Sequence, residues 1–394
     1  MPVLTPFRRL IVASLLYMGA FAALRVVVSY RALAVGADAV AIGIIAAAFS
    51  FLPLLLAFPM GRLADSRGAR PLLVWALLIS AAATMAAAVS DSVVLIGVAN
   101  ALLGLGQLLA IIGGQSMVME LLGRDQYVKG FAGFTLAVSI GQTIATPAIG
   151  VLLGDESAAT VDTWPSFVAC AVAFVIALPL ALSLPRLLGP AAGSEPNGAA
   201  ADRTGFVEMM RMPGMLPATY SSLVVLSSIE LVAAYMPLIG ESAGLSAVTV
   251  SLLVTLRSLT AVISRAFMPL LLRRTTQTRL LILSPVICTP ALVGLGLAQS
   301  VWLLALCLAV LGFWWGLNQP LTMNWIAQIA PAGERSAAMS LRLLGNRVGQ
   351  VVVPLAAGGI AGGLGPGSVF LLAAALTGAS VASTTRGLRS APPE

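Results

Sequence analysis

The sequence predicts an all-α integral membrane protein, in which twelve transmembrane helices form two pseudo-symmetric six-helix bundles. Three observations support this fold class: the composition, the length of the apolar runs and an internal repeat. Of the 394 residues, 59% are hydrophobic and only 9% are charged, whereas about 25% of a soluble domain is charged. A core in water cannot bury this much apolar surface, so we expect lipid to be the solvent.

The helices are predicted from apolar runs of about twenty residues, which is the length that crosses a hydrocarbon core about 30 Å thick. Helices are expected because a spanning helix satisfies its own backbone hydrogen bonds. Charged residues, glycines and prolines separate the runs. In chain order the predicted spans are 10–30, 39–60, 71–90, 93–119, 130–153, 164–184, 216–239, 246–271, 280–298, 301–325, 337–360 and 366–385.

A polar segment at 185–215 divides the spans into six and six. Its proline, glycine, alanine and serine content is typical of a flexible linker, and a short interfacial helix is predicted near Phe206 to Arg211. We therefore predict an N-terminal six-helix bundle at 1–184, a cytoplasmic linker at 185–215 and a C-terminal six-helix bundle at 216–394.

The two halves align with each other at an offset of 208 residues. Gly36 then falls on Gly244, the Leu-Gly pair at 103–104 falls on the pair at 311–312, and "IGQ" at 140–142 falls on "VGQ" at 348–350. A single offset that holds in three separate helices indicates duplicated halves, and such repeats are typical of secondary transporters.

The basic residues predict the orientation of the chain. With the first span entering from the cytoplasm, sixteen of the 22 Lys and Arg residues fall in cytoplasmic segments and only Arg31 falls on the far side. This asymmetry follows the positive-inside rule, so both termini are expected in the cytoplasm. The net charge of +7 then reflects topology and anionic lipid headgroups, and we expect no nucleic-acid partner.

The residues for catalysis or metal binding are missing from the sequence. There is no histidine, and the three cysteines, Cys170, Cys288 and Cys307, all lie inside predicted spans. Histidine is the commonest general base and transition-metal ligand, and the cysteine spacing suggests neither a disulfide nor a metal site. We therefore expect no enzyme activity, no cofactor and no metal.

The stretch "GRLADSRGAR" at 61–70 resembles the signature loop of the major facilitator superfamily. The family pattern is Gly, three residues, Asp, a basic residue, any residue, Gly and two positions that are usually basic. Gly61, Asp65, Gly68 and Arg70 match, while Ser66 and Ala69 stand where basic residues are usual and Arg67 is offset by one. The loop falls between spans 2 and 3, as it does in that family.

The resemblance implies the twelve-helix fold of bacterial members and a monomer in the bacterial inner (plasma) membrane. It also implies alternating access and a small-molecule substrate, with protons as the expected coupling ion. In the family the loop's aspartate latches the two halves near the start of helix 11. Here that conformational latch would comprise Gly61, Asp65, Arg67, Gly68, Arg70 and Glu120. The alternative interpretation is that these charges only enforce topology.

Charged residues inside the spans are the main functional signal, because each is costly at the bilayer centre unless it is satisfied. Arg265 and Arg342 lie near cytoplasmic ends, so we expect them to extend to the surface. Glu230 is either a proton carrier or the counter-ion of an arginine. The complete set is Arg25, Glu230, Arg257, Arg265, Arg342 and Arg347. Spans 3, 6, 9 and 12, which are peripheral in the family, contain none.

The stretch "GFWWGLNQP" at 312–320 predicts an aromatic-walled polar site near a bend. Trp314 and Trp315 would form its wall, and packing against lipid is the alternative for both. The predicted substrate-binding set adds polar residues from span 11 and the charges above: Arg25, Glu230, Arg257, Trp314, Trp315, Asn318, Asn346, Arg347 and Gln350.

Three hypotheses follow from these features. The first is a carrier of a small organic anion or zwitterion, because five intramembrane arginines face one glutamate and arginine binds carboxylate or phosphate in a bidentate fashion. The second is a proton-antiport exporter of drugs or amphipathic metabolites that uses Glu230 and the tryptophan pair. The third is a membrane enzyme or receptor, which would need a catalytic or ligand-binding constellation that the sequence does not offer.

Overall fold

A computed structural model describes residues 5–122, 126–154, 161–186, 206–298, 300–330 and 335–390. Within these ranges the regular secondary structure is helical. The helices are α1 (Pro6–Ala34), α2 (Ala39–Arg67), α3 (Ala69–Val89), α4 (Val93–Leu121), α5 (Tyr127–Leu153), α6 (Trp164–Leu182), α7 (Phe206–Arg211), α8 (Met215–Ser242), α9 (Ala247–Arg274), α10 (Gln277–Leu297), α11 (Val301–Ile329), α12 (Arg335–Leu364) and α13 (Ser368–Ser390).

Twelve of the described helices are long and apolar enough to cross a membrane, and they correspond one to one with the predicted spans. The chain is thus a multi-pass membrane protein. The remaining helix, α7, covers the six residues for which the sequence predicts a short helix. Most of the predicted linker, at 187–205, lies outside the described residues.

The offset of 208 residues reappears in the bounds of the helices. It carries α3 onto α10 and α4 onto α11 at both ends. The turns before α2 and α9 also correspond, because Gly36 has φ 86° and Gly244 has φ 66°. Glycine alone adopts this left-handed backbone without strain, so the repeated glycine pair marks the same turn in each half.

Equivalent glycines also allow equivalent close helix contacts. A Cβ atom at Gly104 in α4 would overlap with the carbonyl oxygen of Phe49 in α2, and one at Gly312 in α11 would overlap with that of Arg257 in α9. Gly104 and Gly312 are 208 residues apart in the chain, and so are Phe49 and Arg257. Small residues at such contacts let helix backbones approach closely, which drives helix packing in lipid.

The third aligned pair behaves in the same way. A Cβ atom at Gly141 in α5 would overlap with the backbone of Leu15 in α1, and one at Gly349 in α12 would overlap with the side chain of Leu223 in α8. Leu15 and Leu223 are again 208 residues apart. The repeat predicted from three short matches therefore extends to the tertiary contacts.

The helices group into two compact units. The first unit comprises Met1–Ala37, Ala48–Gly198 and Ser246–Leu252, and the second comprises Asp38–Ala47, Ala199–Leu245 and Leu253–Glu394. In the first unit α3 packs along α4, and α1 packs along α5 and α6. In the second unit α10 packs along α13 and α11, and α8 packs along α12 and α13.

Candidate functional site

A chain of polar side chains, which we call the Glu–Gln–Arg chain, joins α8 to α12 inside the second unit. The Nε2 of Gln350 donates to Oε1 of Glu230 at 3.0 Å, and Nη1 of Arg347 donates to Oε1 of Gln350 at 3.2 Å. Glu230 and Gln350 are buried. One amide thus satisfies an acid on one side and a guanidinium on the other, and the sequence-predicted residues Glu230, Arg347 and Gln350 meet in one place.

Arg342, one and a half turns earlier on α12, is also bound inside the unit. Its Nη2 donates to Oε1 of Gln319 in α11, and Nε2 of Gln319 donates to the carbonyl of Ser222 in α8 at 3.4 Å. Arg342 is only 5% exposed. The expectation that it extends to the membrane surface is wrong, because Gln319 provides an acceptor within the bundle.

Two further arginines lie on α9. Nη2 of Arg257 donates to Oγ of its neighbour Ser258 at 2.9 Å. Nε of Arg265 lies 3.4 Å from the carbonyl oxygen of Gly316 and donates to it. That carbonyl lies four residues before Pro320, which has no N–H to offer it, so the proline releases an acceptor for the arginine.

The residues of the α11 stretch occupy different surroundings. Trp315 and Asn318 are each 1% exposed, and Nδ2 of Asn318 donates to Oγ of Ser221 at 3.1 Å. Trp314 is half-buried and packs edge-on to Phe313, against a cluster of buried apolar residues that includes Trp325. Helix α11 continues through Pro320 to Ile329. The structure therefore separates the two tryptophans that the sequence suggested as one aromatic wall.

The first unit also contains a contact between an arginine and a glutamine. Nη2 of Arg25 in α1 donates to Oε1 of Gln107 in α4 at 3.2 Å, and its guanidinium carbon lies 4.9 Å from the ring centroid of Phe49 in α2. An arginine over an aromatic face gains cation–π attraction, which strengthens when water is excluded. Arg25 therefore has a polar and an aromatic partner within the membrane.

The structure explains two residues of the predicted latch, Gly68 and Glu120. Gly68 has φ 78°, a conformation that favours glycine. Oε1 of Glu120 accepts from the backbone N–H of Ala69 at 2.8 Å and so caps the start of α3. The Asp65 side chain lies outside the described residues, while Arg67 is exposed and Arg70 is half-buried. The latch is thus still a prediction.

Sequence reasoning missed Gln107 and Phe49, and it left Gln319 out of the site. Each of the two glutamines is the neutral partner of an arginine in its own unit. A polar amide in an otherwise apolar helix is the signal that points to them. Asn346, by contrast, was predicted; it is 2% exposed, and neither of its amide atoms has a hydrogen-bond partner among the described residues.

A sequence profile of the Major Facilitator Superfamily matches residues 10–298 and, a second time, residues 218–394. The chain belongs to this superfamily. No curated protein matches the chain in sequence.

Solved structures of the superfamily share the fold of this member. The nucleoside transporter NupG has a TM-score of 0.80 at 14% identity, with 98% of this chain and 100% of that chain covered. The peptide transporter POT, in a complex with sulfate, has a TM-score of 0.74 at 17% identity, with 98% and 94% covered. A bacterial homolog of the human lysosomal transporter Spinster has a TM-score of 0.68 at 15% identity, with 98% and 94% covered.

Proposed function

We propose that this superfamily member is a secondary active transporter that moves a small anionic or zwitterionic organic solute by alternating access. The observation that carries the proposal is the imbalance of charge in the predicted spans, where five arginines accompany one glutamate. Three of these arginines donate to glutamine side chains, namely Arg25 to Gln107, Arg342 to Gln319 and Arg347 to Gln350.

A glutamine amide accepts a hydrogen bond from an arginine without adding a negative charge. In a low-dielectric environment the guanidinium favours an incoming carboxylate or phosphate, which forms stronger charge-assisted bonds than an amide does. The proposed substrate-binding residues are Arg25, Glu230, Arg257, Trp314, Asn346, Arg347 and Gln350, with Arg347 and Arg257 as the principal anion ligands. The names of the similar transporters, for nucleosides and peptides, support a polar organic solute.

Glu230 is the proposed coupling residue, with the proton as the coupling ion. Its carboxylate accepts from Gln350, which in turn accepts from Arg347. Protonation of Glu230 would weaken its bond to Gln350 and alter the orientation of that amide. Gln350 would thus link Glu230 to Arg347, the proposed substrate ligand. We further propose a monomer in a bacterial inner membrane with both termini in the cytoplasm, and no enzymatic activity.

The alternative is proton-antiport export of drugs or amphipathic metabolites. It depends on an aromatic wall at Trp314 and Trp315. Because Trp315 is 1% exposed inside the second unit, only Trp314 is available for a wall, and the anion proposal is preferred.

The proposal is tested by thermal stabilisation of the purified full-length protein with carboxylates, phosphates, a nucleoside, a dipeptide and lipophilic cations. We expect an anion or zwitterion to raise the Tm of wild type and of Arg273→Gln, but not of Arg257→Gln or Arg347→Gln. Arg273 is a matched control because it lies on α9 with Arg257 but is exposed in the last turn. Stabilisation by lipophilic cations alone, lost only in Glu230→Gln, would favour the exporter instead.

A further inference from the structure

A small cavity lies inside the second unit, between α8, α10, α11 and α13. It offers about 10 Å³ to the centres of water molecules, which is room for about one water molecule. Six of the lining side chains are polar: Ser221, Ser284, Trp315, Asn318, Thr377 and Ser380. None of the six is more than 2% exposed.

Four polar atoms in this lining have no hydrogen-bond partner in the described part of the chain. They are Nε1 of Trp315, Oδ1 of Asn318, Oγ1 of Thr377 and Oγ of Ser380. A buried polar atom without a partner destabilises the fold, and native proteins rarely leave such atoms unsatisfied. Four of them around one cavity therefore indicate a missing shared partner.

The chemistry of these atoms specifies that partner. The indole N–H of Trp315 can only donate, so the ligand must accept a hydrogen bond, which excludes a metal cation at this atom. The amide oxygen of Asn318 can only accept, so the ligand must also donate. The hydroxyls of Thr377 and Ser380 can do either. No arginine or lysine is among the lining residues, so an anion would lack a counter-charge.

We propose that this cavity is a binding site for one ordered water molecule. The water accepts from Trp315, donates to Asn318 and completes its hydrogen bonds with Thr377 and Ser380. Such four-fold coordination matches the two to four partners that buried waters have. Through Asn318, which also donates to Ser221, the water connects α11 and α13 to α8. The inference does not depend on the proposed substrate.

The first test is the sign of a stability change. In Thr377→Val the shape is kept and the hydroxyl is lost. If water is bound, this change removes one of its hydrogen bonds, and we expect the Tm to fall by a few degrees. Thr384→Val is the matched control, because Thr384 lies seven residues further on α13, is 0% exposed, has an unpartnered Oγ1 among the described residues and is absent from the cavity lining. We expect its Tm to stay the same or rise.

The second test is radiolytic labelling of the full-length protein, since hydroxyl radicals formed from a bound water attack the side chains beside it. We expect Trp315 to be labelled several-fold faster than Trp325, which is also on α11 and is 3% exposed but does not line the cavity. A rise in Tm for both threonine variants, or equally slow labelling of the two tryptophans, would show a dry cavity and overturn the proposal.

Discussion

Three arginines in the spans each donate to a glutamine side chain: Arg342, which is buried, and Arg25 and Arg347, which are half-buried. Gln350 has two charged partners, because its one amide donates to Glu230 and accepts from Arg347. The amide therefore connects the two charged residues without adding a charge of its own.

The first prediction concerns this amide. Gln350→Leu removes the hydrogen bond to Glu230 and the one from Arg347, so the free energy of unfolding should fall by about 1–3 kcal/mol. Asn346→Leu, one turn earlier on α12, is the control: Asn346 is equally buried, but neither amide atom has a partner in the described ranges. Thermal melts in detergent compare the two variants, and equal losses of Tm would contradict the role assigned to Gln350.

At the scale of helices, packing depends on glycines at repeated positions. Gly104 and Gly312 each face the backbone carbonyl of a neighbouring helix, where a Cβ atom has no space. A backbone atom cannot rotate away as a side chain can, so the helix itself must shift. Overpacking of this kind typically costs about 1–3 kcal/mol.

The second prediction compares glycines that touch a neighbouring helix with a glycine that has space for a side chain. Gly104→Ala and Gly312→Ala should lower the Tm and the yield of folded protein. Gly359→Ala in α12 should not, because nothing in the described part of the chain lies within 4 Å of a Cβ built there, and alanine favours the helix by about 1 kcal/mol. A melt in which all three variants behave alike would contradict the packing described for α4 and α11.

The helices could be predicted from the sequence because their apolar runs are long and the charges between them are few. Ends were less accurate: span 10 was predicted to stop at 325, whereas α11 continues to Ile329. Helix α11 is continuous through Pro320, and the carbonyl of Gly316 that Pro320 leaves free accepts from Arg265. A single sequence cannot show that a side chain from another helix donates a hydrogen bond to this carbonyl.

The site was predicted less completely than the fold. The charged residues were visible because charge is rare in apolar spans, and Glu230, Arg347 and Gln350 do come together. Gln107 was missed because its partner Arg25 lies 82 residues away in the chain, and no local pattern joins them. Arg342 was expected at the surface because the sequence shows its position near the end of a span. The sequence does not show that Gln319 on α11 accepts a hydrogen bond from it.

At the scale of the whole molecule, the distribution of basic residues predicts the orientation in the membrane. Arg31, the one basic residue placed on the outer side, forms a salt bridge with Asp91 at 2.8 Å and donates to the carbonyl of Ser90. These partners hold it at the end of α1 without a role in topology. The predicted orientation puts the other loop charges on the cytoplasmic side.

The third prediction tests this orientation. A cysteine introduced at Thr275, between α9 and α10, should stay unlabelled by a membrane-impermeant maleimide in intact cells, whereas one at Ala298, after α10, should be labelled. The native cysteines are buried and give little background. Labelling at Thr275 alone would reverse the orientation and contradict cytoplasmic termini.

For the whole molecule we propose that the excess of arginine over acid in the spans lets this transporter carry an anionic or zwitterionic solute. The most direct measurement is counterflow in proteoliposomes, which are preloaded with the unlabelled anion that best stabilises the protein and diluted into the labelled form. We predict transient accumulation by wild type and Arg273→Gln, and a loss of about tenfold or more in Arg347→Gln, because a charge-assisted bond contributes about 1.5–3 kcal/mol. Equal counterflow in wild type and Arg347→Gln, or counterflow of lipophilic cations alone, would contradict the account.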